Sequence, residues 1–154
     1  MSPATATATS DWIERAEATL TAAGHRRGGA RRALLELLDA QECALSAQEI
    51  EDALRARGGA RRVSRASVYR ILDELEELRL VQRVETGQAM VRYERVNEHA
   101  EHHHHLVCDE CGVVMPFSDP GLERAIETLS ERVPMEVSEH EIVLHGACRD
   151  CAAA

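Results

Sequence analysis

The sequence predicts an α+β chain of two small domains, an N-terminal winged helix-turn-helix and a C-terminal α/β unit built around metal. Three observations carry that prediction. Charge divides along the chain, because residues 1–83 hold 13 Arg against 13 Asp and Glu, whereas residues 84–154 hold 5 Arg against 14. Metal-ligating side chains divide the same way, with four of five Cys and seven of eight His beyond residue 98. Apolar spacing is helical through the first half and then turns to a two-strand pattern. A length of 154 residues suits two small domains. The expected boundaries are a disordered tail over 1–9, a winged-helix domain over 10–96 with a hinge at about 94–101, and a metal-binding domain over 102–154.

The elements follow in chain order. Residues 11–23 place Trp12, Ile13, Ala16 and Leu20 at helical spacing, and Gly24 stops the run. A second helix over 30–40 gathers Ala33, Leu34, Leu37 and Leu38 on one face. Ser46 and Glu49 have the spacing of a capping box, in which each side chain serves the other's backbone N–H. The third helix then buries Ile50, Ala53 and Leu54 until Gly58 and Gly59 break it. Ser64 caps a fourth, which runs through Val68, Ile71, Leu72, Leu75 and Leu78. Residues 80–84 and 90–96, separated around Gly87, read as a hairpin. In the second half, 106–107 and 113–115 read as strands. Residues 119–132 read as a helix with Asp119 as cap and Pro120 at its first position, and 135–144 read as a final strand.

Composition narrows the function. Hydrophobic residues make up 44% and aromatics 3%, so the core is aliphatic and a stacking platform for single-stranded RNA is not expected. No apolar run approaches the roughly 18 residues needed to cross a bilayer, and residues 1–10 lack the regions of a secretory signal. A cytoplasmic protein with no membrane partner is expected. The net charge of −9 argues against nucleic acid only on average. Residues 53–72 carry six Arg and no acid, and screening over about 8–10 Å makes local charge what a phosphate feels.

In a winged helix the last helix of the trio enters the major groove. That makes residues 65–70 the reading edge, with Arg65 addressing base edges and Ser67, Tyr69 and Arg70 gripping phosphate and sugar, supported by Arg61 and Arg62. The same periodicity also fits a helical trio in which Arg55 to Arg62 are merely solvated and Tyr69 packs in the core.

The second half points to metal. Cys108-x-x-Cys111 and Cys148-x-x-Cys151 are two chelating hooks that together offer the tetrahedral sulfur shell zinc favours. Disulfide pairing is the other use of such cysteines, one that a reducing cytosol disfavours. The 36 residues between the hooks imply that they staple a small α/β unit. His102-His103-His104-His105 lies just ahead of a strand. In an extended segment His102 and His104 face one way and His103 and His105 the other, so one strand can feed two metal sites. Glu94, Glu98, His99, Glu101, Glu123, His140 and His145 lie near enough in sequence to complete them, with zinc, iron, manganese or nickel all suited.

These residues together resemble the ferric uptake regulator family of metal-sensing repressors. The likeness spans residues 24–151 and rests on Leu45 to Ile50, on Ala66 to Leu72 with its Val-Tyr-Arg core, on His102 to Gly112, and on His145 to Cys151. It implies an N-terminal winged helix and a C-terminal α/β dimerisation domain with structural zinc, acting as a homodimer on a palindromic double-stranded DNA operator. Residue by residue, it makes Cys108, Cys111, Cys148 and Cys151 the structural zinc ligands. It makes His102, His104, Glu123 and His140 a site within the dimerisation domain, and His103, His105 and Glu94 a hinge sensor site.

The chain departs from the pattern at several points. Ala44 stands where iron and peroxide sensors carry a His, with Cys43 beside it as a further hinge ligand or a small core residue. Gln82 and Val96 stand where zinc sensors carry Asp and Cys, and Gly28-Gly29 replaces the usual Thr-Pro helix start. The expected cofactors are a structural Zn2+ and a second regulatory divalent metal, with Zn2+ ahead of Fe2+ or Mn2+. The expected function is zinc uptake regulation, with an iron-, manganese- or peroxide-responsive regulator as the alternative. A zinc hydrolase or a metal buffer without DNA binding is the distant alternative. No small organic substrate and no enzymatic activity are expected, since a hydrolase needs an open metal position and a general base, and no His-Glu-x-x-His motif occurs.

Overall fold

The computed structural model describes residues 10–57, 63–87, 90–96 and 103–153. The chain divides into two compact units, Met1–Glu98 and His99–Ala154.

The first unit is a helical trio with a lead-in helix and a wing. Helix α1 (Asp11–Ala22) starts where the Ser10 hydroxyl accepts from the Ile13 N–H, and it buries Trp12, Ile13, Ala16 and Leu20. Its end is closed by the backbone bonds Gly24 N–H to Thr21 and His25 N–H to Leu20, with Gly24 at φ 85°. Helix α2 (Gly29–Asp39) begins at Gly28 with no side-chain cap, as the Gly-Gly start predicts. It buries Leu35 besides Leu34, Leu37 and Leu38, a wider stripe than the sequence spacing indicates. Strand β1 (Leu45–Ser46) leads directly into α3 (Ala47–Ala56), whose capping box between Ser46 and Glu49 is complete. Helix α4 (Arg65–Glu77) is capped by Ser64, which accepts from the Ser67 N–H. Arg79 (φ 55°) turns the chain after α4 in the same closing pattern as Gly24.

The wing is the antiparallel pair β2 (Val81–Glu85) and β3 (Val91–Arg95), with Gln82 opposite Glu94. The two-residue β1 pairs with the other edge of β3, giving the order β1-β3-β2, a strand the sequence patterning does not signal. Leu34, Leu35, Leu38, Ile50, Leu72 and Leu75 are among the fully buried residues of one core that also takes Trp12 and Tyr93. Each such burial contributes roughly 1.5–3 kcal/mol.

The second unit centres on β4 (His104–Cys108). Strand β5 (Val114–Phe117) pairs antiparallel on one side and β6 (Val143–Gly146) parallel on the other. Helix α5 (Pro120–Ser130) connects them, with Asp119 accepting from the Leu122 N–H and Pro120 at its first position. The short α6 (Arg149–Ala152) follows Cys148. The strand expected over 135–144 is corrected by the structure, where only Val143–Gly146 pairs. The cause is register: β4 meets β6 from His105 opposite Val143 onward, so earlier residues have no strand beside them. His140 therefore sits in the segment ahead of β6 rather than on a strand.

No helix among the described residues is long and apolar enough to cross a membrane.

Candidate metal centres and candidate DNA-facing helix

The first metal centre is made of four sulfurs. Cys108 ends β4, Cys111 follows one tight turn later, Cys148 caps α6 and Cys151 lies within it. Gly112, at φ 73°, lets the chain double back so that its N–H reaches the Cys108 carbonyl at 2.9 Å. All four sulfurs lie within 4.8 Å of one another and none is in a disulfide. Cys111 Sγ and Cys148 Sγ are 3.8 Å apart. A tetrahedron of zinc–sulfur bonds of about 2.3 Å needs sulfurs about 3.8 Å apart, so the cluster fits a structural zinc. The Cys148 N–H points at Cys108 Sγ (3.3 Å), and amides of Cys111 and Cys148 bring the Cys108 thiol down to about 6. Hydrogen bonds to the Cys148 and Cys111 sulfurs push Cys151 up to about 12. Beside the cluster, His145 Nδ1 meets Asp109 Oδ1 at 2.9 Å, and the Asp109 N–H bonds the Gly146 carbonyl at 2.8 Å. These contacts tie the two hooks together through the protein itself.

The second centre joins three elements of the same unit. His104, fully buried at the start of β4, places Nε2 2.7 Å from Glu123 Oε1. His140 places Nε2 3.0 Å from Glu123 Oε2. Glu123 lies in the first turn of α5, where the N-terminal dipole favours a carboxylate. Its carboxyl is held below the usual glutamate range, chiefly by the hydrogen bond with His104. Two imidazoles and a carboxylate within 4.8 Å form a donor set that suits zinc, iron or manganese. Phe117, whose ring centroid is 5.4 Å from that of His104, forms an apolar wall that the sequence analysis did not single out. His102, expected here, lies outside the described residues.

The expected hinge ligands are distributed over both units. Glu94 is buried on β3, where its Oε1 accepts from Gln82 Nε2 at 2.6 Å. That contact follows from the observed register, which sets Gln82 opposite Glu94. His103 and His105 alternate with His104, and their rings meet edge-on at 5.1 Å. Cys43 is half-buried in the turn between α2 and β1. Within the first unit no three described donor side chains converge, so Cys43 gathers no site there.

On α4, Val68, Ile71, Leu72 and Leu75 face the core. Tyr69 is 45% exposed, which overturns its reading as a core residue. Ser67 is half-buried and Arg70 is exposed. The Arg65 guanidinium is engaged by Glu51 and Gln48, and the Glu51 bond raises its pKa further. Arg61 and Arg62 lie outside the described residues.

A winged helix joined to a unit with two metal-capable centres defines a metal-responsive DNA-binding transcriptional regulator. Residues 22–145 match the ferric uptake regulator family, and the chain belongs to that family. It is 32% identical over 141 residues to the ferric uptake regulation protein of Bacillus subtilis, covering 90% of this chain and 93% of that protein. Its structure is similar to that of the Helicobacter pylori ferric uptake regulator, a protein described as having three functional metal binding sites of its own, at a TM-score of 0.79 and 27% identity over 92% of this chain and 91% of that one. The Vibrio cholerae ferric uptake regulator aligns at a TM-score of 0.75 and 30% identity, over 86% and 98%. Family members are transcriptional regulators and not enzymes, which sets the hydrolase reading aside.

Proposed function

We propose that this chain is a repressor that binds a palindromic operator as a metal-loaded homodimer, and that zinc is the ion that loads it. The single observation that carries the metal-loaded reading is the pairing, in one unit, of a four-thiolate cluster with the separate His104–Glu123–His140 donor set. The sulfur cluster holds its zinc as a staple. The N/O set, completed by His102, is free to respond to metal supply. A hinge site of His103, His105 and Glu94, with Cys43 as a further ligand, is the switch in this reading. The winged helix supplies the DNA contact through Arg65, Ser67, Tyr69, Arg70, Arg61 and Arg62.

The homodimer is supported by apolar surface that the single chain leaves exposed. Helix α5 buries no residue, and Leu129, Met135 and Leu144 are exposed at 56%, 72% and 49%. Ala44 removes the His that the resemblance assigns to iron and peroxide sensors, Gln82 and Val96 remove the Asp and Cys of zinc sensors, and zinc is supported by the soft sulfur that Cys43 would add to the hinge site. Iron is the second reading, favoured by relatives named for ferric uptake and by an N/O donor set that suits it equally. The deciding experiment measures metal content of the purified chain together with its affinity for the promoter of its own gene under zinc, iron(II), manganese and nickel. Zinc-selective tightening is the expected result. Tightening by iron alone establishes the second reading, and no metal dependence overturns both.

A further inference from the structure

Arg65, the first residue of α4, is held by two residues of α3 that lie one turn apart. Its Nε donates to Glu51 Oε2 at 2.8 Å and its Nη2 donates to Gln48 Oε1. The Glu51 side chain is 10% exposed, and its other oxygen accepts from Arg55 Nη2 at 2.7 Å. The Arg65 side chain is 57% exposed, so the grip anchors it without covering it. A guanidinium carries five N–H donors, and the grip uses two. The two Nη1 hydrogens and the second Nη2 hydrogen remain, an end-on pair of the kind that meets guanine O6 and N7. Glu51, Asp52, Arg55 and Arg65 also balance in charge, since Arg55 Nη1 bonds Asp52 Oδ1 at 3.1 Å. A balanced set adds little to the field that draws in any phosphate backbone.

We propose that Gln48 and Glu51 are specificity-determining positioning residues, which hold Arg65 in one pose so that its remaining donors read a base edge. This inference rests on the reading of α4 as the recognition helix. An unheld arginine on the same turn would swing to the nearest phosphate and bind all sequences alike. The grip withholds that option while leaving the fork available.

The test uses the zinc-loaded full chain and two probes, a duplex enriched by the parent chain from a random-sequence pool and a scrambled duplex of the same composition. The readout is the ratio of the two dissociation constants at fixed salt. Gln48→Ala and Glu51→Gln should each lower that ratio by about tenfold, the scale of one lost base contact. Glu51→Gln should also steepen the salt dependence on the scrambled duplex, because it unmasks a positive charge. In an Arg65→Ala background neither substitution should lower the ratio further. Gln48 is exposed, so its variant reports even where Glu51→Gln fails to fold. If Arg65→Ala lowers the ratio but neither partner substitution does, the positioning role is overturned and the recognition helix stands. If Arg65→Ala leaves the ratio unchanged, or the pool yields no enriched sequence, both fall together.

Discussion

A thiol must lose its proton before it holds zinc, and the fold eases that loss at Cys108. Backbone amides directed at its sulfur bring it to about 6, well below an ordinary thiol. Cys108→Ser removes that sulfur and opens the tetrahedron. Structural zinc contributes on the order of 10 kcal/mol in small metal-dependent modules, so the second unit should lose its thermal transition and its bound zinc. A variant that keeps both would refute the structural role. Glu123 makes a second residue-scale prediction, through pH. Its folded pKa lies below the unfolded value because His104 and His140 hydrogen-bond the carboxylate. The folded state therefore binds fewer protons, and the stabilisation is complete above the ordinary glutamate pKa of about 4.5 and lost as pH falls through the lower folded value. The stability gap between the parent and Glu123→Gln, followed by thermal midpoint at a series of pH values, should close in that window. A gap that stays constant across acid pH would mean that the carboxylate charge does no work there.

At the scale of elements, helix starts were legible and strand partners were not. The Ser46–Glu49 box, the Ser64 cap and the Asp119-Pro120 start are chemistry within a few residues, and each formed as its spacing predicts. Strand β1 and the truncated β6 depend on which strand lies alongside, and that information sits in β3 and β4. The same division separates the sites. The Cys hooks announce themselves by spacing, and His104, Glu123 and His140 came from a resemblance that the geometry then gathers into one place. The hold on Arg65 was hidden, because Gln48 and Glu51 lie 17 and 14 residues away in sequence. Helix α5 makes the prediction proper to this scale. Leu122, Ile126 and Leu129 share a face, yet α5 buries none of its residues in the single chain. If α5 lies in the interface of the proposed homodimer, Leu129→Glu should convert that dimer to monomer in sedimentation equilibrium while the four-cysteine zinc is retained. The cause is an unpaired charge placed where an apolar contact forms, which costs several kcal/mol. A variant that remains dimeric would move the interface off this face.

At the scale of the whole molecule the question is how metal supply becomes DNA affinity. The first unit carries α4, the reading helix of the proposed function, and Glu94, and the second carries the His run and the chain's excess of acid, which on that reading keeps it off the phosphate backbone. A metal activates only to the extent that it binds the DNA-competent arrangement more tightly than the others. A site whose ligands come from both units meets that condition, because the ion then depends on their arrangement. A site whose ligands all lie in one unit is bound about equally in every arrangement and shifts little. His103 and His105 alternate with His104 along the chain, so the two kinds of site are separable by single substitutions. His103→Ala should abolish metal-dependent operator binding while leaving a dimer that holds zinc at its four cysteines. His102→Ala should lower stability or shift the metal concentration of the response and leave its amplitude. The amplitude follows from ordinary magnitudes. Moving a two-state equilibrium from 1:99 to 99:1 takes about 5.5 kcal/mol of differential binding, and one lost ligand removes enough to leave the chain in the weak state. Titrating operator affinity against free zinc for both variants, alongside metal stoichiometry, separates the cases. Indistinguishable curves for His102→Ala and His103→Ala would show that the run feeds one site and that the alternation carries no division of labour.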